Sequence, residues 1–512
     1  MQLPSMRFLR RFVAVTSAVA LAAAPSFATW SIVVVNTRTR EACIGSATCI
    51  SNFNLRKNLA VLRPGLGAAC SQAAIDSGAT NRNVMYAGFG NGLSPQQILA
   101  QLLTIPAFDT RQFGIVDFEH SPVTYSGAST FAWAGGVTGE VGDLRYAIQG
   151  NILVGAEPVL NAELALLNTQ GDITQKVMAA MEAARAWGGD GRCSCSVNNP
   201  TSCGSPPPVP FVSSHAGFVL LARVDDTGGT MCGTNTGCAF GNFFLQLNII
   251  APGTDPDPVL QMAAQYATWR AGLAGRTDQL TTRVSAGAQA LVADGVTKTT
   301  VVIELRDIDG VDVGHGGHTL TLTNLSGASA VTSASAVTDN ADGTYRFDVT
   351  AGLGAGSDAW RVVVSDASGA VRLYPDFVVR VDPLAPLHLG RDSVSAAALD
   401  AVPIVVNVRN SPGKPVLMLA STAGTAPGLP FAGTQFPLNM SSLLTFTYSN
   451  ANSASLPGTY ARLDRTGRAE ARFVPTAAML VSLVGSHVDW SAVVFRTSGS
   501  TALAPVGFDV LP

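Results

Sequence analysis

The stretch Ser26-Phe27-Ala28-Thr29-Trp30-Ser31-Ile32-Val33-Val34-Val35 joins a removable leader to a strand that opens on a hydroxyl residue. Upstream lie Arg7, Arg10 and Arg11, then an apolar run from Phe12 to Ala24, then Ser26 and Ala28 at the positions a signal peptidase reads. Residues 1–28 therefore read as a secretory signal peptide, with the cut between Ala28 and Thr29. Ala22 and Ala24 fit the same small-residue pattern, but a cut there leaves Pro25 first, which the peptidase tolerates poorly.

A leading Thr carries nucleophile and base in one residue: its hydroxyl attacks and its free amine takes the proton. An unperturbed α-amine titrates at about 7.7 to 8.0, so a useful fraction is neutral at pH 7. Before the cut the same nitrogen is an amide without basicity. The plainer reading is that Thr opens many strands by propensity alone.

The length of 512 residues implies about three domains, each large enough for its own core. Hydrophobic content of 47% with 13% charged residues describes folded modules, and 51 Gly with 28 Pro makes them rich in turns. The formal charge of −3 falls to −6 without the three leader arginines, which leaves no basic surplus to hold a nucleic acid. After the leader, no apolar run reaches the roughly 18 residues a membrane span needs. The expected location is secreted, periplasmic or at the cell surface.

All eight cysteines lie between Cys43 and Cys238, and in an exported chain this favours disulfides confined to the first domain. Cys193 and Cys195, two apart, share a face in a strand and are badly placed to bond each other. Cys203, Cys232 and Cys238 are nearby candidate partners. The spacings lack the paired C-x-x-C of structural zinc, so the expectation is no metal and no cofactor.

From Thr29 to about Leu247 the pattern runs strands, helices, strands. Ser31 to Val35, Ala42 to Thr48, Leu66 to Ala73, Gln112 to Phe118, Val123 to Tyr125, Gly217 to Val224 and Phe243 to Ile250 are β-like. Ser94-Pro95-Gln96-Gln97 supplies an N-cap, a first-turn Pro and a capping-box Gln to a helix with Ile98, Leu99, Leu102 and Leu103 on one face. Asp172 caps a second helix carrying Val177, Met181, Ala184 and Trp187, stopped by Gly188-Gly189. A last helix spans Pro258 to Leu273. Helices with strands on either side in sequence suggest a layered α/β sandwich.

Five blocks carry a resemblance: Thr29 to Val34, Gly65 to Ala73, Arg111 to Asp117, Tyr146 to Leu153, and Gly188 to Arg192. Together they resemble the signature blocks of a bacterial secreted family of unknown function placed among the N-terminal-nucleophile hydrolases. The resemblance covers about residues 29 to 250 and implies a four-layer αββα sandwich with Thr29 as nucleophile, in a first domain that with its C-terminal helix spans residues 29–282. It also points to Asn151, Asp190 and Arg192 as polar positions suited to an oxyanion donor and a charge holding the Thr amine. A local ion pair closing a loop beside the cysteines explains Asp190 and Arg192 equally well. Many relatives have a Ser-Lys pair after the second strand where this chain has Ala47-Thr48-Cys49, which counts against a lysine-assisted mechanism.

Beyond about Arg283 the texture becomes alternating and rich in Thr and Val, with Asp-Gly turns. Residues 283–382 read as an all-β module resembling bacterial immunoglobulin-like repeats of the invasin kind. After Pro383-Leu384-Ala385-Pro386, residues 383–512 read as a second all-β sandwich. Asp307, Asp309 and Asp312 as calcium ligands, or His315 and His318 as a metal pair, compete with turn acidics and a flexible loop.

The resulting expectation is a secreted Thr-type amidohydrolase on a β stalk, acting on an amide-containing small molecule or peptide. The alternative is a non-catalytic envelope or extracellular binding protein that attaches through its β modules and uses the first domain as a scaffold.

Overall fold

A computed structural model describes residues 26–131, 133–229, 232–233, 235–250, 256–293, 295–352, 354–383 and 385–512. Residues 1–25, and with them most of the signal-peptide reading, lie outside them. The chain divides into two compact units at Arg276 and Thr277.

In chain order the first unit runs β1 (Ser26–Phe27), β2 (Thr29–Asn36), β3 (Glu41–Thr48), α1 (Leu55–Leu59), β4 (Ala60–Arg63), β5 (Gly67–Ala74), α2 (Thr80–Gly90) and α3 (Pro95–Leu102). It continues with β6 (Arg111–Asp117), β7 (Val123–Ser126), β8 (Ala134–Val141), β9 (Leu144–Asn151), α4 (Glu157–Asn168), α5 (Ile173–Ala186) and α6 (Gly191–Ser194). It closes with β10 (Ala216–Ala222), β11 (Thr227–Gly228), β12 (Gly241–Asn242), β13 (Leu245–Ile250) and α7 (Pro258–Ala271). One six-stranded sheet has the order β13-β10-β3-β2-β9-β8, and a five-stranded sheet has β1-β5-β6-β7 with β4 beside β5.

The period of two in β2 explains how these pieces stack. Trp30, Ile32 and Val34 share a core with Val177 and Met181 of α5. Val33 and Val35 point the other way, into a core with Ala68 and Cys70 of β5 and Val116 of β6. The outer face of the five-stranded sheet, through Ala69, Phe113 and Ile115, packs on Met85 and Phe89 of α2 and Ile98 and Leu102 of α3. The two sheets thus face each other, and helices cover the outer face of each.

The helices begin where side chains satisfy their free N–H groups. Ser94 and Gln97 form a reciprocal capping box at α3, and Asp172 and Gln175 form one at α5. After α5, Gly189 sits at φ 55°, and a Cβ there would come within 2.7 Å of the Trp30 ring. Only glycine serves at that position.

Six cysteines pair as Cys49–Cys193, Cys195–Cys203 and Cys232–Cys238. Cys43 and Cys70 are buried thiols whose pKa burial pushes up. Cys193 lies in the helical turn α6 and Cys195 caps it, so the two do not share a strand face as the spacing suggests.

The second unit holds two sets of sheets with separate cores. In the first set, Lys298–Glu304 and Thr344–Ala351 lie in one sheet, and Thr319–Asn324, Gly356–Asp366 and Phe377–Asp382 in the other. Val301, Ile303, Phe347, Trp360, Val362 and Val379 share the core formed there. Asp307 accepts the N–H groups of Asp309 and Val311, closing a turn. His318 is held by Tyr345 and stacks on His315 at 5.1 Å between ring centres. The second set, from Leu387 to Leu511, is not all-β as the sequence suggests. Helices Ser442–Ser449 and Ala477–Leu483 place Leu443, Leu480 and Leu483 in its core.

Cys49–Cys193 closes a loop across 144 residues, so it restricts the unfolded chain strongly. Replacing both by Ala is expected to lower the stability of the first unit by about 2–5 kcal/mol. The second unit, which contains no cysteine, should unfold at an unchanged denaturant concentration. Equal midpoints for the first unit in wild type and variant would rule this out.

Candidate active site

The faces that meet between the two sheets change character along their length. At one end they are apolar, with Val33, Val35, Ala42 and Ile44. Two residues apart along the same faces come Ser31 and Thr29 on β2 and Ser46 and Thr48 on β3, all at most 2% exposed. Register brings Thr29 opposite Thr48 on one side and opposite Asn151 on the other. Gln72 of β5 and Gln112 of β6 meet them from the second sheet.

These groups form one hydrogen-bonded cluster. Ser31 donates to Gln72 Oε1 at 2.5 Å and lies 2.9 Å from the Ser46 hydroxyl. Gln72 Nε2 donates to the Thr29 carbonyl at 3.0 Å and to Gln112 Oε1 at 2.7 Å. Gln112 in turn donates to the Gly150 carbonyl at 2.8 Å. The backbone of Thr29 is therefore clamped from both sheets.

The carbonyl of Ala28, the group just before Thr29, gathers three donors. Thr29 Oγ1 donates to it at 2.6 Å, Thr48 Oγ1 at 2.5 Å and Arg192 Nη2 at 3.2 Å. The Thr29 and Thr48 hydroxyls are 3.3 Å apart. A hydroxyl and a guanidinium aimed at one carbonyl oxygen are the kind of donors that stabilise charge developing on it.

Arg192 is held by Asp190, which has no exposed surface. Asp190 caps the short α6 through Arg192 N, accepts from Arg192 Nη2 at 2.9 Å, and accepts the Cys49 N–H at 2.6 Å. The Cys49–Cys193 disulfide spans the same junction. Ile152 follows Asn151 at φ 54°, an outlier for a β-branched residue, and its carbonyl accepts the Gly191 N–H. That conformation costs about 1–3 kcal/mol and is held by the packing and hydrogen bonds around it.

All four residues singled out in the sequence, Thr29, Asn151, Asp190 and Arg192, thus meet at one end of the inter-sheet layer. Asp190 touches Arg192 and Cys49 in the bonds above, so it acts on the Ala28 carbonyl through Arg192. Thr48 and Gln72 escaped the sequence reading. A signal existed for Thr48: a hairpin turning at Thr37–Arg40 places residue 48 opposite residue 29. Cys49, Cys193 and His215 also come together, but the two sulfurs are bonded to each other and offer no thiolate to a metal.

The geometry defines a two-sheet sandwich with a hydroxyl-centred polar site in the first unit, followed by a β-rich unit. Residues 29–198 match a family of unknown function (DUF1028), and residues 278–373 match invasin domain 3. Among solved structures, a protein of the first family from Silicibacter pomeroyi shares 14% identity over 47% of this chain and 88% of its own, with TM-score 0.35. The adhesin InvE of Yersinia pseudotuberculosis shares 16% over 44% of this chain and 58% of its own, with TM-score 0.19. The Escherichia coli adhesin FdeC shares 13% over 78% and 91%, with TM-score 0.18. No curated protein matches the sequence.

Asp190→Ala leaves Arg192 and the Cys49 N–H without their shared acceptor. The expected loss is about 3–5 kcal/mol, the cost of breaking a buried pair from one side. Chemical denaturation measures it, and a loss under about 1 kcal/mol would mean that water replaces the carboxylate freely.

Proposed function

We propose that the chain is an extracellular or cell-surface binding protein that attaches through its second unit. The match of residues 278–373 to invasin domain 3 carries this reading. Three disulfides in the first unit support a location outside a reducing compartment. A labelled chain of residues 29–512 should be retained by immobilised cell-envelope fragments or extracellular-matrix protein. A folded chain of residues 29–276 should wash through. Equal retention of the two would remove the second unit from the attaching role.

A second reading concerns the first unit, and the donors converging on the Ala28 carbonyl favour it. The match to the family of unknown function begins at the same residue, Thr29. In this reading the unit is a Thr29-dependent amide hydrolase of the N-terminal-nucleophile type, and its helix-covered facing sheets agree with that fold. Once the Ala28–Thr29 bond is cut, the Thr29 amine accepts the proton of its own hydroxyl as the oxygen attacks a substrate amide carbonyl. Thr48 and Arg192 hold the oxygen of the tetrahedral intermediate. The proton passes to the leaving amine, an ester forms on Thr29, and water then hydrolyses the ester and restores the hydroxyl.

Thr29→Ala should abolish labelling of the 29–512 chain by an acyl-trapping β-lactone, read as intact mass. Thr29→Ser should retain part of it. A residue added before Thr29 displaces the amine and should cost about 10²–10⁴ in rate, the usual worth of a general base. Equal labelling of Thr29→Ala and wild type would leave Thr29 as merely the first residue of a strand.

A further inference from the structure

The intact chain shows what lies on the acyl side of Thr29. Ser26 and Phe27 form β1, which pairs antiparallel with β5 in the register Ser26 to Ala74 and Phe27 to Ala73. Ala28 follows with no exposed surface, and its carbonyl receives Thr48 and Arg192. Residues 26–27 therefore lie as an added strand, and Ala28 leads from it to the bond the proposed export cut would break. Elsewhere on the same edge of β5, β4 pairs only with Gly67 to Cys70. Loss of the leader leaves the edge from Ser71 to Ala74 open beside Thr29.

Two further observations mark this edge as a binding site. Ala73, the residue opposite Phe27, sits at φ 73°, a strained conformation for a residue with a side chain and one that collects at functional sites. Next to it a small pocket is lined by Thr29, Phe53, Leu55, Leu59, Ser71 and Ala74, and it carries no ionisable side chain. The Ser71 hydroxyl is buried there without a hydrogen-bond partner among the described residues.

We propose that the site freed by loss of residues 1–28 binds an extended peptide as an extra strand on β5. The peptide carries a small residue immediately before the bond to be cut. Main-chain pairing supplies affinity in this mode, and the enclosed position of Ala28 supplies selectivity. The proposal rests on the hydrolase reading of Thr29 for the cleaved bond, but the binding it describes is measurable without turnover.

The test uses residues 29–512 carrying Thr29→Ala, titrated by calorimetry with acetyl-Ser-Phe-Ala-amide, acetyl-Ser-Phe-Leu-amide and a fully N-methylated Ser-Phe-Ala peptide. The Ala peptide should bind at least about tenfold more tightly than the Leu peptide, because a bulky group has no room where Ala28 is enclosed. The N-methylated peptide, which cannot donate to a strand, should bind as weakly as the Leu peptide. Adding Thr48→Val should weaken the Ala peptide, and Thr48→Ser should restore it. Equal binding of the Ala and Leu peptides, or no binding of the Ala peptide to protein shown folded by circular dichroism, overturns the proposal. Selective peptide binding together with equal β-lactone labelling of Thr29→Ala and wild type would instead overturn the hydrolase reading and leave the peptide site standing.

Discussion

A carboxylate without exposed surface has to be paired, and Asp190 is such a group. Its partners fix three parts of the chain at once: the first turn of α6 through Arg192 N, the end of β3 through Cys49 N, and the Arg192 guanidinium. The guanidinium then reaches the Ala28 carbonyl beside Thr29. Removing the charge would release a chain of dependent contacts, because the helical turn is only four residues long and has little stability of its own. The disulfide from Cys49 to Cys193 closes the same junction covalently. One buried charge and one covalent link therefore set the geometry around the first residues of β2.

Between the sheets, stability and chemistry are separated along the strands. Val33, Val35, Ile44 and Val116 bury apolar surface at one end, where packing costs nothing in lost hydrogen bonds. At the other end Thr29, Ser31, Ser46, Thr48, Gln72 and Gln112 are as deeply buried, and each has to find a partner inside the protein. They find it in one another and in the backbone of β2 and β9. Such a network specifies a single arrangement more sharply than apolar contacts do, since each member has few geometries that satisfy it. It also holds the Thr29 backbone in place without using the Thr29 hydroxyl.

What could be read from the sequence follows from where the physical signal was local. Ser94 with Gln97 and Asp172 with Gln175 cap their helices through side chains within three residues, and both helices were legible. Two others were not. The N-caps of α2 and α4, Ala79 and Ala156, make no side-chain cap bond, and α2 carries Gly88 and Gly90 in its own sequence. β8 is half-exposed and interrupted by Gly135, Gly136 and Gly139, so it shows neither an apolar run nor clean alternation. The site was half legible. Thr29 announces itself by position, and Asn151, Asp190 and Arg192 by the blocks they stand in. Gln72 depends on how the second sheet lies against the first, which no local pattern encodes, and the partner of Cys193 lies 144 residues away.

That long-range pairing bears on when the site can exist. Cys49 lies at the end of β3 and Cys193 follows α5, so their bond joins the first hairpin to a segment that arrives only after both sheets have most of their strands. In a reducing compartment the bond is absent and α6 is held by its hydrogen bonds to Asp190, the Ile152 carbonyl and the Ala28 carbonyl. Where thiols oxidise, the bond forms across a junction the carboxylate has already aligned. The leader is removed on the same passage out of the cytoplasm in the export reading of residues 1–28. On the hydrolase reading, two independent changes then coincide outside the cell interior: the Thr29 nitrogen turns from amide to amine, and the turn carrying Arg192 becomes covalently anchored. On that reading the first change supplies the base, and the second adds a covalent hold to a turn whose Arg192 the Asp190 carboxylate already aims at the Ala28 carbonyl.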